Sequence, residues 1–123
     1  MSSQGGERCI NHEKLHHLRL ETGTGFERVL ALFLKNLPGR LSALSEAWLG
    51  NDRLLLRQTA HKLKGTSATF CADDFSLLCA QLEKSAEEAP AEHIEQLLQQ
   101  VAAEGEQVRI ALHDLLLQTL AER

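Results

Sequence analysis

Tyrosine is absent from this 123-residue sequence, tryptophan occurs once, and phenylalanine four times. Valine and isoleucine together number only six. Strands favour β-branched and aromatic side chains, so this scarcity excludes an all-β fold. Two prolines and eight glycines are too few for a disordered or collagen-like chain. No apolar run approaches the ~18–20 residues that a membrane span needs. The opening residues, Met1-Ser2-Ser3-Gln4-Gly5-Gly6, lack the basic-then-apolar order of a secretory signal. Direct membrane contact is therefore not expected. The three cysteines, Cys9, Cys71 and Cys79, are sparse, odd in number and without metal-ligand spacing. They read as reduced thiols of a cytoplasmic protein. An excess of positive charge is also missing. Lys and Arg total 13 against 17 Asp and Glu, a net charge of −4, which argues against nucleic acid as a partner.

What is abundant is leucine and alanine, 38 residues together, both strong helix formers. A chain of this length buries about two-thirds of its unfolded surface, enough for one core and not for two. The fold class is therefore all-α, in one domain over residues 10–123 preceded by a flexible tail, 1–9. In that tail Cys9 is expected to be exposed and prone to artefactual dimers.

Five helices follow from the punctuation. Asn11 caps a short one over 12–21, with Ile10 and Leu15 spaced as a hydrophobic staple, and Gly23 stops it. Thr24 and Glu27 have capping-box spacing and open a second helix over 25–49. Its apolar stripe is Phe26, Leu30, Phe33, Leu37, Leu41, Leu44 and Trp48. This stripe stays in phase across Pro38, which predicts one helix kinked there rather than two. Gly50-Asn51-Asp52 is a stop and a new cap. A third helix covers 53–69 and a fourth 73–88, with Phe75, Leu78, Leu82 and Ala86 inward. Pro90 opens a fifth over 91–120, carrying Ile94, Leu97, Val101, Val108, Leu112, Leu115 and Thr119. Short links between long helices make neighbours antiparallel, so the architecture is an up-down four-helix bundle with a small leading helix.

The third helix carries the chemistry. At 100° per residue its apolar stripe is Leu56, Ala60, Leu63, Ser67 and Phe70, and His61 lies nearly opposite. Arg57, Lys64, Gly65 and Ala68 share its face. A mid-helix glycine costs about 1 kcal/mol relative to alanine, so Gly65 points to a need for open space one turn from the imidazole. From Arg53 to Gly65 there are four cations, Arg53, Arg57, Lys62 and Lys64, and no acid. Neighbouring cations disfavour an imidazolium, which makes His61 a neutral nucleophile, and the same cations suit an attached phosphoryl dianion. Exposed histidine, local positive charge and a steric gap together fit a phosphoryl acceptor.

His61-Lys62-Leu63-Lys64-Gly65 resembles the H-x-L-K-G motif of histidine-containing phosphotransfer (HPt) domains. The similarity continues through Phe70, Ala72, Phe75 and Cys79 to Leu82-Glu83, includes Asp52 and the Phe33–Leu41 region, and covers roughly 15–120. It implies a phosphocarrier of multistep two-component phosphorelays without kinase activity of its own. His61 would take the phosphoryl group on Nε2 from a receiver-domain aspartate, Lys64 would sit beside it, and Gly65 would leave room for the receiver. Arg57, Lys62 and Ala68 are the neighbouring contacts expected for that partner. The partners implied are receiver domains of response regulators or of a hybrid sensor kinase. The carrier itself would be a monomer holding no cofactor, with Mg²⁺ on the receiver. One departure stands out: the family usually has Gly where this chain has Cys71. If Cys71 takes a left-handed conformation it is strained, unless packing of its side chain under the turn offsets the strain. Two alternatives remain: the phosphoacceptor domain of a chemotaxis-type histidine kinase, and a helical adaptor that is never phosphorylated.

Other residues have plainer readings. His12 and His16 are four apart, with His17 adjacent, but no third metal ligand completes them, and they read as a solvated face. His93 and His113 are expected on the exposed side of the last helix. Cys79 lies beside the Leu78/Leu82 stripe and reads as core. The charges around Glu83-Lys84 and Glu87-Glu88 read as a solvated helix face.

Overall fold

The computed structural model describes residues 9–122. Helix α1 spans His12–Thr22, a 3-10 turn covers Gly23–Gly25, and four longer helices follow: α2 Phe26–Leu49, α3 Arg53–Thr69, α4 Asp73–Ser85 and α5 Ala91–Ala121. Packing joins α2 to α3, α3 to α4, α4 to α5, and α5 back to α2, which closes a four-helix bundle. The α4 helix ends three residues earlier than the periodicity predicts, and Ala86 remains fully buried beyond its end.

The core is the set of stripes read from the sequence. Phe26, Leu30, Phe33, Leu37 and Leu44 of α2 are buried against Leu56, Ala60 and Leu63 of α3 and Phe75, Cys79 and Leu82 of α4. Leu41 and Trp48 are half-buried on the side of α2 that faces α5. Burial pushes the Cys79 thiol up to about 12, as expected of an inert core cysteine. Helix α2 runs unbroken through Pro38.

Two links share one construction. At the end of α2, the N–H of Asn51 donates to Trp48 and that of Asp52 to Ala47; at the end of α3, Cys71 donates to Ala68 and Ala72 to Ser67. Both are Schellman motifs, whose penultimate position requires a left-handed residue. Asn51 (φ 59°) and Cys71 (φ 62°) occupy it. Asparagine tolerates that conformation and cysteine much less. Cys71 is nevertheless 7% exposed, so the strained turn and the packed side chain, read above as alternatives, coexist.

Two expectations fail near the N-terminus. Thr24 does not cap α2. It lies within the 3-10 turn, and the helix begins after Gly25 without a side-chain cap. Cys9 is 2% exposed rather than free in a tail, and burial is the main cause that pushes its thiol up to about 11. The reason is tertiary. The N–H of Asn11 donates to the carbonyl of Cys71 at 2.8 Å, which pins the segment before α1 against the α3–α4 link. The rest of the expected tail, residues 1–8, lies outside the described residues.

Candidate functional site

Asp52 sets the phase of α3 by accepting the N–H of Leu55 at 3.0 Å. With Leu56, Ala60, Leu63 and Ser67 turned into the core, geometry forces His61 outward. Its side chain is 63% exposed. Gly65 and Ala68 lie on the same open face, and a Cβ at Gly65 would meet no atom within 4 Å. A depression of about 500 Å³ beside the imidazole is lined by Leu55, Arg57, Gln58, Thr59, Lys62 and Glu83.

The electrostatics differ from the expectation of an all-cationic surround. Acids arrive from α4, which packs along α3 and turns its outer edge toward the histidine. Glu83 Oε2 lies 2.8 Å from Nδ1 of His61, and Glu83 Oε1 lies 2.8 Å from Nζ of Lys64. Arg57 pairs with Glu87. Arg53 is a structural clamp: its guanidinium donates to the carbonyls of Ala86 (3.3 Å) and Ala89 (2.7 Å) and stacks 5.1 Å over Trp48. Lys62 alone of the four leaves its charge without a partner among the described residues.

The hydrogen bond from Lys64, the largest cause, and that from His61 hold the Glu83 carboxyl below its ordinary range of 4.5, against a smaller opposing effect of burial. Glu83 is therefore a carboxylate, which only accepts. Nδ1 of His61 must then carry the hydrogen, and in the neutral imidazole the lone pair lies on Nε2. Ser76 of α4 adds a second tie, donating to the carbonyl of Lys64 at 2.9 Å.

The charge run read as a solvated face thus contains two residues that contact the site, Glu83 and Glu87. A signal for them existed. Arg57 and Lys64 are seven apart on one face of α3, and Glu87, in the turn just past the end of α4, and Glu83, on α4, descend in the matching antiparallel order. Among the described residues, no group of three or more His, Cys, Asp or Glu comes together to hold a metal. His12, His16, His17, His93 and His113 are exposed.

A bundle that presents a mid-helix histidine hydrogen-bonded through Nδ1, with a glycine one turn on, has the features of a histidine phosphotransfer module. The Hpt domain family matches residues 28–121. Histidine-containing phosphotransfer protein B of Pseudomonas aeruginosa PAO1 is similar in structure. Its TM-score is 0.84 at 26% identity, over 91% of this chain and 97% of that one. The HPT domain of a sensor hybrid histidine kinase from Shewanella shares the fold, with a TM-score of 0.74 at 23% identity over 89% and 95% of the two chains. No curated protein matches in sequence. The chain belongs to the Hpt domain family and is a phosphocarrier of the phosphorelay type. The chemotaxis-kinase and adaptor alternatives gain no support from these matches.

Proposed function

We propose that His61 carries the phosphoryl group on Nε2, accepting it from the aspartate of one receiver domain and yielding it to another. The observation that supports this most directly is the Nδ1–Glu83 hydrogen bond beneath a largely exposed ring, which leaves the Nε2 lone pair for the incoming phosphorus. The phosphoryl-aspartate bond breaks with its electron pair on the aspartate as the N–P bond forms. Mg²⁺ belongs to the receiver in this reading, and the carrier supplies no kinase activity. Gly65 gives clearance to the receiver, Lys64 supplies positive charge close to the ring, and Arg57, Lys62 and Ala68 border the contact. Lys62, whose charge is uncommitted, is the residue best placed to steer an acidic partner. No helix among the described residues is long and apolar enough to cross a membrane. The protein acts in the cytoplasm as a monomer in this reading.

The test is phosphotransfer from a receiver charged with radiolabelled phosphate. His61→Gln is expected to fold as the wild type does and to take up no acid-labile label. Uptake at the wild-type level by this variant would place the acceptor elsewhere.

A further inference from the structure

Arg57 stands on a ridge between two depressions. The one beside the imidazole, about 500 Å³, has Arg57, His61 and Lys62 on its wall. The other, about 430 Å³, lies toward α4 and has Arg57, Glu87 and Glu88 on its wall. Among the described residues His61 borders only the first and Glu87 only the second, whereas Arg57 borders both. In the unphosphorylated protein its guanidinium is turned to the second side, where it pairs with Glu87. The side chains of that pair are 44% and 50% exposed. An ion pair so open to water is weak, so little opposes an exchange of partners.

The two partners differ in freedom. Glu87 lies in the turn after α4, between the carbonyls of Ala86 and Ala89 that Arg53 fastens, so its backbone is held in place. Arg57 is a long side chain one turn before His61 on the same face of α3, where such neighbours are about 5–6 Å apart at Cβ. Its guanidinium can span that gap.

We propose that Arg57 has two stations: Glu87 in the resting protein, and the phosphoryl group on His61 in the phosphorylated one. The proposal rests on the reading of His61 as the acceptor. A phosphoryl group brings close to two negative charges and three acceptor oxygens. A planar guanidinium binds such a group through two parallel N–H donors, a stronger arrangement than the exposed pair with one carboxylate. Phosphorylation then alters both sides of the ridge. It draws Arg57 onto the phosphoryl group and frees the Glu87 carboxylate. A receiver therefore meets one charge pattern on the loaded carrier and another on the empty one.

The test needs no receiver. Phosphoramidate loads histidines directly, its P–N bond breaking with loss of ammonia as the ring's N–P bond forms. The resonance followed by ³¹P NMR is the one that disappears in His61→Gln, and its shift with pH reports ionisation of the phosphoryl group. A cation beside that group favours the dianion and lowers the transition. Arg57→Ala is expected to raise it by roughly one unit, and Arg57→Lys to retain part of the effect. The lysine variant keeps the charge and the helix, which separates the loss of the guanidinium from a disturbed fold. Glu87→Gln removes the competing carboxylate and should move the transition below that of the wild type. In the Arg57→Ala background the same change should act by roughly half as much or less, because only direct repulsion between Glu87 and the phosphoryl group is left. Lys62, Lys64 and Glu83 stay the same throughout and cancel in these differences. Identical transitions in wild type and Arg57→Ala would overturn the proposal, as would equal shifts from Glu87→Gln in both backgrounds. If no resonance disappears in His61→Gln, the acceptor reading fails and the proposal with it, a result distinct from a His61 resonance that ignores Arg57.

Discussion

A glutamine at position 65 would project from α3 into solvent, because a side chain there meets no atom within 4 Å. Removing a helix-interior glycine adds up to about 1 kcal/mol of stability. Gly65→Gln is therefore expected to raise the melting temperature while slowing receiver transfer by roughly tenfold or more, since a slightly displaced partner loses alignment steeply. Transfer at the wild-type rate would show that the gap is not used. Cys71 poses the opposite question, how a poor residue survives at a left-handed position. Its strain is about 1 kcal/mol, and the buried methylene and sulfur are worth a similar amount. Cys71→Gly removes both and is expected to stay within about 0.5 kcal/mol of the wild type. Cys71→Ala keeps the strain and loses the sulfur contacts, at a cost of about 1 kcal/mol. Urea midpoints of the three proteins decide: an alanine variant as stable as the wild type would mean that the thiol contributes nothing.

Among helices, the informative contrast is between two glycines. Gly105 sits mid-α5, where a Cβ would come 3.0 Å from Leu41 Cδ1 and 3.2 Å from Phe75 Cε1. The half-buried Leu41 can yield a little, but the fully buried ring of Phe75 cannot. The stripe read from the sequence passed over Gly105, which has no side chain to register as apolar. Its role is to let α5 approach α2 and α4 closely. Gly105→Ala is expected to forfeit the ~1 kcal/mol that the same exchange gains at Gly65, because overpacking offsets helix propensity. Gly105→Leu should destabilise by about 2–3 kcal/mol. Chemical denaturation of the four variants, alanine and leucine at each site, checks both signs. A gain from Gly105→Ala equal to that from Gly65→Ala would show that the packing is slack.

For the whole molecule, pH dependence reports two carboxyls that the bundle treats oppositely. The Glu83 carboxyl is lowered, chiefly by Lys64. Its contribution to stability is present above the ordinary value of 4.5 and is lost as pH falls through its lower folded-state value. The Glu104 carboxyl is raised, first by burial and then by the charge of Asp74. It binds a proton more tightly when folded, so its ionisation destabilises the fold as pH rises past 4.5. Glu104→Gln should therefore be more stable than the wild type at neutral pH, with the difference vanishing below the carboxylate range. Glu83→Gln should flatten the acid limb of the stability profile. Urea midpoints measured across pH 3–8 test both, and a Glu104→Gln gain that persists unchanged at the lowest pH would remove burial of charge as its cause.

Local rules wrote most of the fold and half of the site. Apolar spacing and the caps at Asn11 and Asp52 set the helices to within a few residues, because helix phase depends on residues within one or two turns. That phase also fixed His61 on the outward face and Gly65 one turn beyond it. Tertiary structure alone decided what His61 touches. Glu83 stands twenty-two residues along the chain and reads as a solvated acid until α4 lies against α3. The same packing turned Arg57 and Lys64 from free cations into paired ones, made Arg53 a clamp across two links, and drew Cys9 out of an expected tail. Charge and hydrogen bonding act across space, whereas helical period acts along the chain. The position of the histidine could therefore be read in sequence, while its tautomer and its partners were settled only by how two helices pack.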